Sequence, residues 1–464
     1  MLHKSQGSFR VSSHDVPCVT KKNHIIISLF LAIFILFSVG CDLVMNDTGD
    51  GQLSASFPQG NNSPDDERTT ERSDLTDDGG YAPNSPYTKA PDVSGNDGTP
   101  VTVHRDDPVV PDEPISERIR ELIPHFDLRY FLSALSDSEL EVVYSIYNSA
   151  VNFESDAYLP VNFHKDDFFS MWSLLNAECP ELFNIDFHTQ VHYFYDPDTG
   201  YIDRITIPYL LDKDEYSQML ASVGKVSDYL KTATDGMTDV EKEKVVFDYM
   251  AINCRYDTES DYSATAYGAL VSKSAKCHGI SLGMKWMLEE LGIQCLCITA
   301  DCLGEDIGHA WNIVRIDGEY YTVDLTQSVQ NSDNSTFVIE GVVYCAFNIS
   351  DSWTNNNYFI HDFFSEFAPI PSCSTNENSY YAKLDCFVFR GDDPESVLAR
   401  QLETIVKNGG GNVYLHFENE SEFEDFVENV GTSIVSWFSE NGESYSSARY
   451  VSCAYNLCAI TINI

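Results

Sequence analysis

The dipeptide Asp317-Gly318 constrains this chain more than any other feature, because it fixes a register. It sits between HAWNIVRI and EYYTVDLT, two runs rich in strand-forming residues, and Asp-Gly is a two-residue hairpin signal. With those residues as the turn, Ile316 pairs with Glu319, and counting outward sets Thr326 opposite His309. Asp324, two residues earlier, shares the face of His309 on the diagonal, within side-chain reach. A one-residue bulge would break this parity.

Upstream lies a helix. Ile280, Met284, Met287, Leu288 and Leu291 fall on one helical face, and Gly292 suits the C-terminal cap. Cys277 sits in or just before the first turn. Unpaired N–H groups and the macrodipole favour an anion there, and an ionised sulfur is one. Cys277, His309 and Asp324 thus supply the three groups a thiol nucleophile needs: attacking sulfur, base, and a carboxylate to orient the base. A single cysteine is commonly a buried hydrophobe; three segments in the right order favour chemistry instead. His278 adjoins the sulfur in sequence but points away from it on a helix. His361 and Asp362 imitate a second pair, yet no cysteine opens a helix ahead of them.

The segments GALVSKSAKCHGIS and GHAWNIVRIDGEYYTVDLT, with NCRYD before them, resemble the core of the transglutaminase-like superfamily. That family's pattern is a Cys opening a helix, then His-Ala-Trp-Asn, then Val-Asp-x-Thr. The resemblance spans Asn253 to Val329. It implies an α+β fold of papain-like type, with the nucleophile helix packed on an antiparallel sheet. It also implies Cys277 as nucleophile, His309 as general base and acid, and Asp324 as orienting carboxylate. The expected activity is amide chemistry on proteins or peptides through a thioester, ending in hydrolysis or in transfer to an amine. The alternative from another class is a non-catalytic binding module of the same fold. Around the nucleophile the family often has Gly-Val-Cys-x-Gly-Tyr. This chain has Ala275-Lys276-Cys277-His278-Gly279-Ile280, so the surface beside the sulfur differs.

The formal net charge is -44 over 464 residues. It excludes a chain-wide affinity for nucleic acid or anionic lipid. Lys4, Arg10, Lys21 and Lys22 precede an apolar run from Ile25 to Val39, the layout of an export signal. Phe37-Ser38-Val39-Gly40-Cys41 resembles a bacterial lipobox, which implies that Cys41 carries lipid and opens the mature chain. The run is short for a membrane span. Both this reading and an uncleaved anchor put the rest of the chain outside the cytoplasm, attached to a membrane. Cell-wall peptide is then within reach as a substrate.

Residues 42–114 are polar, with few aromatics, and read as a flexible acidic tether. Residues 115–235 read as an N-terminal mixed α/β region: helices over 136–151 and 162–179, a hairpin around Asp196 to Gly200, and a long helix over 212–233. ECPELFNI and that hairpin resemble the region preceding the core in bacterial surface relatives, which implies a wall of the cleft. The core occupies 236–385, opening with a helix over 238–253. Residues 386–464 form a small α/β domain in the order βαβαββ, with a helix over 420–430 and no catalytic set. Of thirteen cysteines, Cys295 and Cys297 share one strand face, and Cys453 and Cys458 suit a bridge across a hairpin. No Cys-x-x-Cys pair or EF-hand loop occurs, so no metal or cofactor is expected.

Overall fold

The computed structural model describes residues 113–189, 191–302, 308–329, 344–353, 358–361, 363–453 and 455–464. The expected export signal, Cys41 and nearly all of the expected tether lie outside them.

The N-terminal region opens with α1 (Ile115–Leu122) and α2 (Asp137–Asn152). Helix α2 begins at a capping box, in which the Ser136 N–H donates to the Glu139 carboxylate at 2.8 Å and the Ser136 hydroxyl accepts from the Glu139 N–H. Strand β1 (Asp156–Tyr158) follows. The helix expected over 162–179 starts later, as α3 (Phe168–Glu178). Backbone bonds from Ile202 to Phe163 and from Lys165 to Gly200 hold 163–165 against the next hairpin, so those residues cannot join the helix. That hairpin is β2 (His192–Tyr195) and β3 (Ile202–Thr206), turning where expected, with β1 added to β3. Helix α4 (Lys213–Ala233), capped by Asp212, ends the region.

The core begins with α5 (Asp239–Asn253). Strands β4 (Arg255–Tyr256) and β5 (Ser274–Ala275) pair in parallel and deliver the chain to α6 (Cys277–Glu290). Next come β6 (Cys295–Cys302), β7 (Gly308–Ile316), β8 (Glu319–Asp324), β9 (Ala346–Ile349) and β10 (Tyr358–Ile360). They form one antiparallel sheet in the order β10-β6-β7-β8-β9. The aromatic segment after Asp324 therefore closes both edges of the sheet. Alternation sends Cys295, Cys297, Val314 and Ile316 to the α6 side, among Met284 and Leu288. Leu296, Ile298, Trp311 and Ile313 face the other way, against Leu174 and Leu175 of α3. A sheet covered on both faces explains why CLCITA is nearly all apolar or small. The short α7 (Phe363–Phe367) follows.

The C-terminal part contains β11 (Phe387–Val388), α8 (Pro394–Asn408), β12 (Gly410–Phe417), α9 (Glu420–Asn441), β13 (Ser447–Cys453) and β14 (Leu457–Asn463). Helix α9 runs past the expected end at Val430, because its apolar stripe continues through Ile434 and Phe438, both buried. The sheet order is β11-β12-β14-β13. One face, with Val413 and Ile460, lies under Leu402 and Phe426 of the two helices. The other presents Tyr414, Leu457 and Ala459 to the cluster that holds α5 and α6, so the C-terminal sheet packs on the core. The register pairs Cys453 with Leu457 and Cys458 with Ser452. Cys453 and Cys458 are therefore not direct cross-strand partners in this register.

Candidate active site

Cys277 is the first residue of α6. Its N-cap, Lys276, is extended and makes no side-chain cap bond, so the first-turn N–H groups have no acceptor within the helix. Gly279 lets this helix end pack tightly. A Cβ there would stand 2.3 Å from the Ser263 carbonyl oxygen and 2.8 Å from that of Thr265. The NCRYD segment steadies the approach: the Asp257 N–H donates to the Ala275 carbonyl at 3.1 Å. The Ser274 hydroxyl donates to the Asp257 carboxylate at 2.6 Å.

The hairpin register is the one Asp317-Gly318 implies, from Ile316 with Glu319 to Asn312 with Val323. It stops short of Thr326, because residues Thr326–Ser328 curl into a 3-10 turn. The turn helps the site, since the Thr326 N–H donates to Asp324 Oδ1 at 3.0 Å. His309 Nε2 lies 2.7 Å from Asp324 Oδ2, with both side chains buried. The Cys277 sulfur lies beside the same imidazole, close enough to favour its charged form. With Nε2 committed to Asp324, Nδ1 is the nitrogen left for sulfur. The three residues expected from the sequence therefore converge.

Burial alone would lower the His309 pKa. The Asp324 charge, its hydrogen bond and the neighbouring sulfur outweigh that and raise it to about 10. Burial would raise Asp324, yet the His309 charge and bonds from His309, Tyr455 and the Thr326 N–H hold it below the ordinary carboxylate range. An imidazolium facing a carboxylate is the state this geometry favours at neutral pH. The rest of the HAWN motif supports it. Trp311 stacks on His309 at 5.9 Å. Asn312 Nδ2 donates to the Ser281 carbonyl at 3.0 Å and the Leu296 carbonyl at 3.1 Å, tying β7 to α6 and β6.

His278 stands apart from this group. Its ring centroid is 6.1 Å from that of His188. Burial, with His188 and Lys276 nearby, pushes its pKa well below the usual value. His361 does find a carboxylate, but it is Asp301, 3.2 Å from Nε2, while Thr299 Oγ1 is 2.9 Å from Nδ1. Asp362 lies outside the described residues.

Two features escaped the sequence reading. The first is Tyr455, in the turn between β13 and β14, whose hydroxyl donates to Asp324 Oδ2 at 2.7 Å. The second is a buried ion cluster at the far end of α6. Lys285 Nζ lies 2.7 Å from Glu289 Oε1 and 3.6 Å from Glu178 Oε1, and it donates to the Cys295 carbonyl. Arg129 donates to Glu181 at 3.0 Å and to the Glu178 carbonyl, and stands 3.6 Å from Glu289. The partners of Tyr455 and Arg129 are far apart in sequence and leave no local motif, whereas Lys285 and Glu289 stand at i,i+4 on α6 and could have been read as a helical pair.

No curated protein matches this chain. Among solved structures it is similar to a candidate cysteine protease from Cytophaga hutchinsonii, at 14% identity and a TM-score of 0.21, over 31% of this chain and 63% of that one. It is similar to a TGase at 14% identity and a TM-score of 0.23, over 52% and 59%. A candidate protease from Parabacteroides distasonis gives 13% identity and a TM-score of 0.18, over 29% and 33%. The chain thus spans less than two thirds of each of these proteins. Residues 227–325, which include Cys277, His309 and Asp324, match the family model of the transglutaminase-like superfamily, and this part of the chain is a transglutaminase-like domain.

Proposed function

We propose that the protein is a thiol enzyme acting on amide bonds of proteins or peptides, held at the outer surface of a bacterial membrane by a lipid on Cys41. The observation that carries the reading is the Cys277 sulfur beside the His309 ring, whose Nε2 lies 2.7 Å from Asp324. Partial exposure of Cys277 supports it as well, since a substrate must reach the sulfur.

In this mechanism the Cys277 thiolate attacks the amide carbonyl carbon. The oxyanion is received by first-turn N–H groups of α6. The C–N bond breaks as His309 passes its proton to the departing amine, leaving a thioester on Cys277. His309 then takes a proton from water or from a second amine, which attacks the thioester. The C–S bond breaks, and the sulfur leaves as the thiolate beside the protonated His309, which restores the starting pair. Water as acceptor gives hydrolysis, and an amine gives cross-linking. Hydrolysis of extracellular protein or cell-wall peptide is our reading, as the pair His309–Asp324 can activate water without a bound second substrate.

Cys277→Ala tests it. The full chain is incubated with peptide libraries, with and without a primary amine, and products are read by mass spectrometry. The unmodified protein is expected to yield cleaved or deamidated peptides, and the variant none, with an unchanged fold. Undiminished product from the variant would overturn the nucleophile assignment. Amine adducts in place of hydrolysis would move the reading to acyl transfer. Binding of peptides without product from either protein would favour the binding-module alternative.

A further inference from the structure

We propose that Tyr455 is a positioning residue for Asp324, so that the C-terminal α/β part completes the site rather than merely buttressing the core. This rests on the catalytic reading of Cys277, His309 and Asp324.

Three observations carry it. The first is the bond itself. The Tyr455 hydroxyl donates to the carboxylate oxygen that also faces His309 Nε2, each at 2.7 Å. With Thr326 N–H on the other oxygen, Asp324 is held from three directions. The carboxylate cannot turn about its C–C bond without losing one of them.

The second is the backbone. Tyr455 has φ +57° and Asn456 +55°. Asn tolerates the left-handed region, whereas a bulky aromatic there is an outlier. A Gly or Asn would make the turn without strain. The side chain that accepts the strain is the one that reaches Asp324.

The third is the anchoring. The turn is pinned by the Phe417 N–H to the Asn456 carbonyl at 3.0 Å. Tyr455 is buried together with Tyr414, Leu457 and Ala459, the sheet face that meets the core. Only this packing brings a residue 131 positions away onto Asp324.

The hydroxyl stabilises the Asp324 carboxylate, so its removal lets Asp324 protonate at higher pH. His309 then loses its counter-charge, and Cys277 loses the imidazolium that supports its reactive form. The experiment follows the rate of Cys277 alkylation by iodoacetamide against pH, site by site by mass spectrometry, in the full chain. It needs no substrate. Tyr455→Phe keeps the ring and the packing. Its acid limb is expected to move to higher pH, with labelling on that limb slowed about tenfold, the scale of one hydrogen bond to a charged group. Replacing Tyr455 by 3-fluorotyrosine, a stronger donor of the same shape, is expected to move the limb to lower pH. This second arm stands even where the Phe variant does not fold. A role in packing alone would leave both limbs where they are, and coincident profiles for all three proteins overturn the proposal. Failure here is distinct from failure of the catalytic reading. Cys277→Ala tests that reading by product formation, and the labelling profile responds to Tyr455 whether or not a peptide is turned over.

Discussion

The two ends of α6 both carry charge away from water, and they do so to different ends. At the N-terminal end a sulfur, an imidazole and a carboxylate meet with Cys277 partly open to solvent. Toward the C-terminal end Lys285 and Glu289 meet Arg129, Glu178 and Glu181, all buried. Burial pushes the Glu178 carboxyl up, against Lys285. Two cations, Lys285 and Arg129, are enclosed by the carboxyls of Glu178, Glu181 and Glu289, and the cluster closes on itself. Burial opposes the Lys285 charge, but Glu178 and Glu289 more than restore it. The open cluster keeps one position for a reacting group. The closed one keeps none, and joins the N-terminal region to the nucleophile helix. Buried charge by itself therefore does not mark a site; an unfilled, reachable corner does.

Lys285→Met should produce the largest effect, and on stability. It leaves Glu289 without its nearest cation in a dry interior, at a cost of about 3–5 kcal/mol. A lower urea midpoint at unchanged slope is the expected result. Adding Glu289→Gln should recover part of the loss, because the two substitutions share one interaction. A midpoint unchanged by Lys285→Met would mean that the cluster does not hold α6 in place, and the contrast between the two ends would collapse.

Asp324→Asn comes next, acting on turnover. It is expected to lower kcat by about two orders of magnitude or more, with a much smaller change in KM. The pair should also show in stability against pH. His309, raised to about 10, contributes stability that is fully present below its unfolded value and is lost as pH rises through 10. Asp324, held low, contributes stability present above the ordinary carboxylate value and lost as pH falls. The stability difference between unmodified protein and variant should be greatest from about pH 4 to 6.5, between those two unfolded values. Urea midpoints across pH check it. A difference that grows above pH 7 contradicts the assignment of charges, and unchanged turnover contradicts the role of Asp324.

How much of this was legible follows from distance along the chain. Asp317-Gly318 sufficed to put His309 and Asp324 on one face and periodicity to put Cys277 at a helix start, while their acting together was implied by the resemblance to the transglutaminase-like superfamily. The hairpin register came through intact, while the turn at Thr326–Ser328 did not, since it depends on the Asp324 carboxylate accepting a backbone N–H. The late start of α3 was hidden because bonds to a hairpin some forty residues onward hold 163–165 against it, and Lys165–Asp167 form a separate 3-10 turn. Tyr455 and Arg129 were invisible for the same reason. Their partners are set by packing between sheet and core, and neither sits in a pattern that spacing can reveal. The length of α9 could have been read, as its apolar stripe continues beyond Val430.

The smallest effect is expected at His361, the imitation of the site. Thr299, His361 and Asp301 line up as hydroxyl, imidazole and carboxylate, one strand away from His309, whose ladder partner is Ala300. The order of groups resembles a nucleophile system, but the surroundings are reversed. Thr299 is 1% exposed, so no substrate carbonyl can approach its oxygen, whereas the Asp301 end is the open one, at 25%. A nucleophile buried beneath its own carboxylate cannot work. The trio instead fastens the β10 edge to the end of β6, together with the His361 N–H on the Thr299 carbonyl at 3.2 Å. His361→Gln keeps a polar group near Thr299 and should leave kcat within about twofold, with a loss of stability on the order of 1 kcal/mol. A kcat loss as deep as that of Asp324→Asn would place His361 in the chemistry, and the distinction between an open and a closed cluster of charges would have to be redrawn around both histidines.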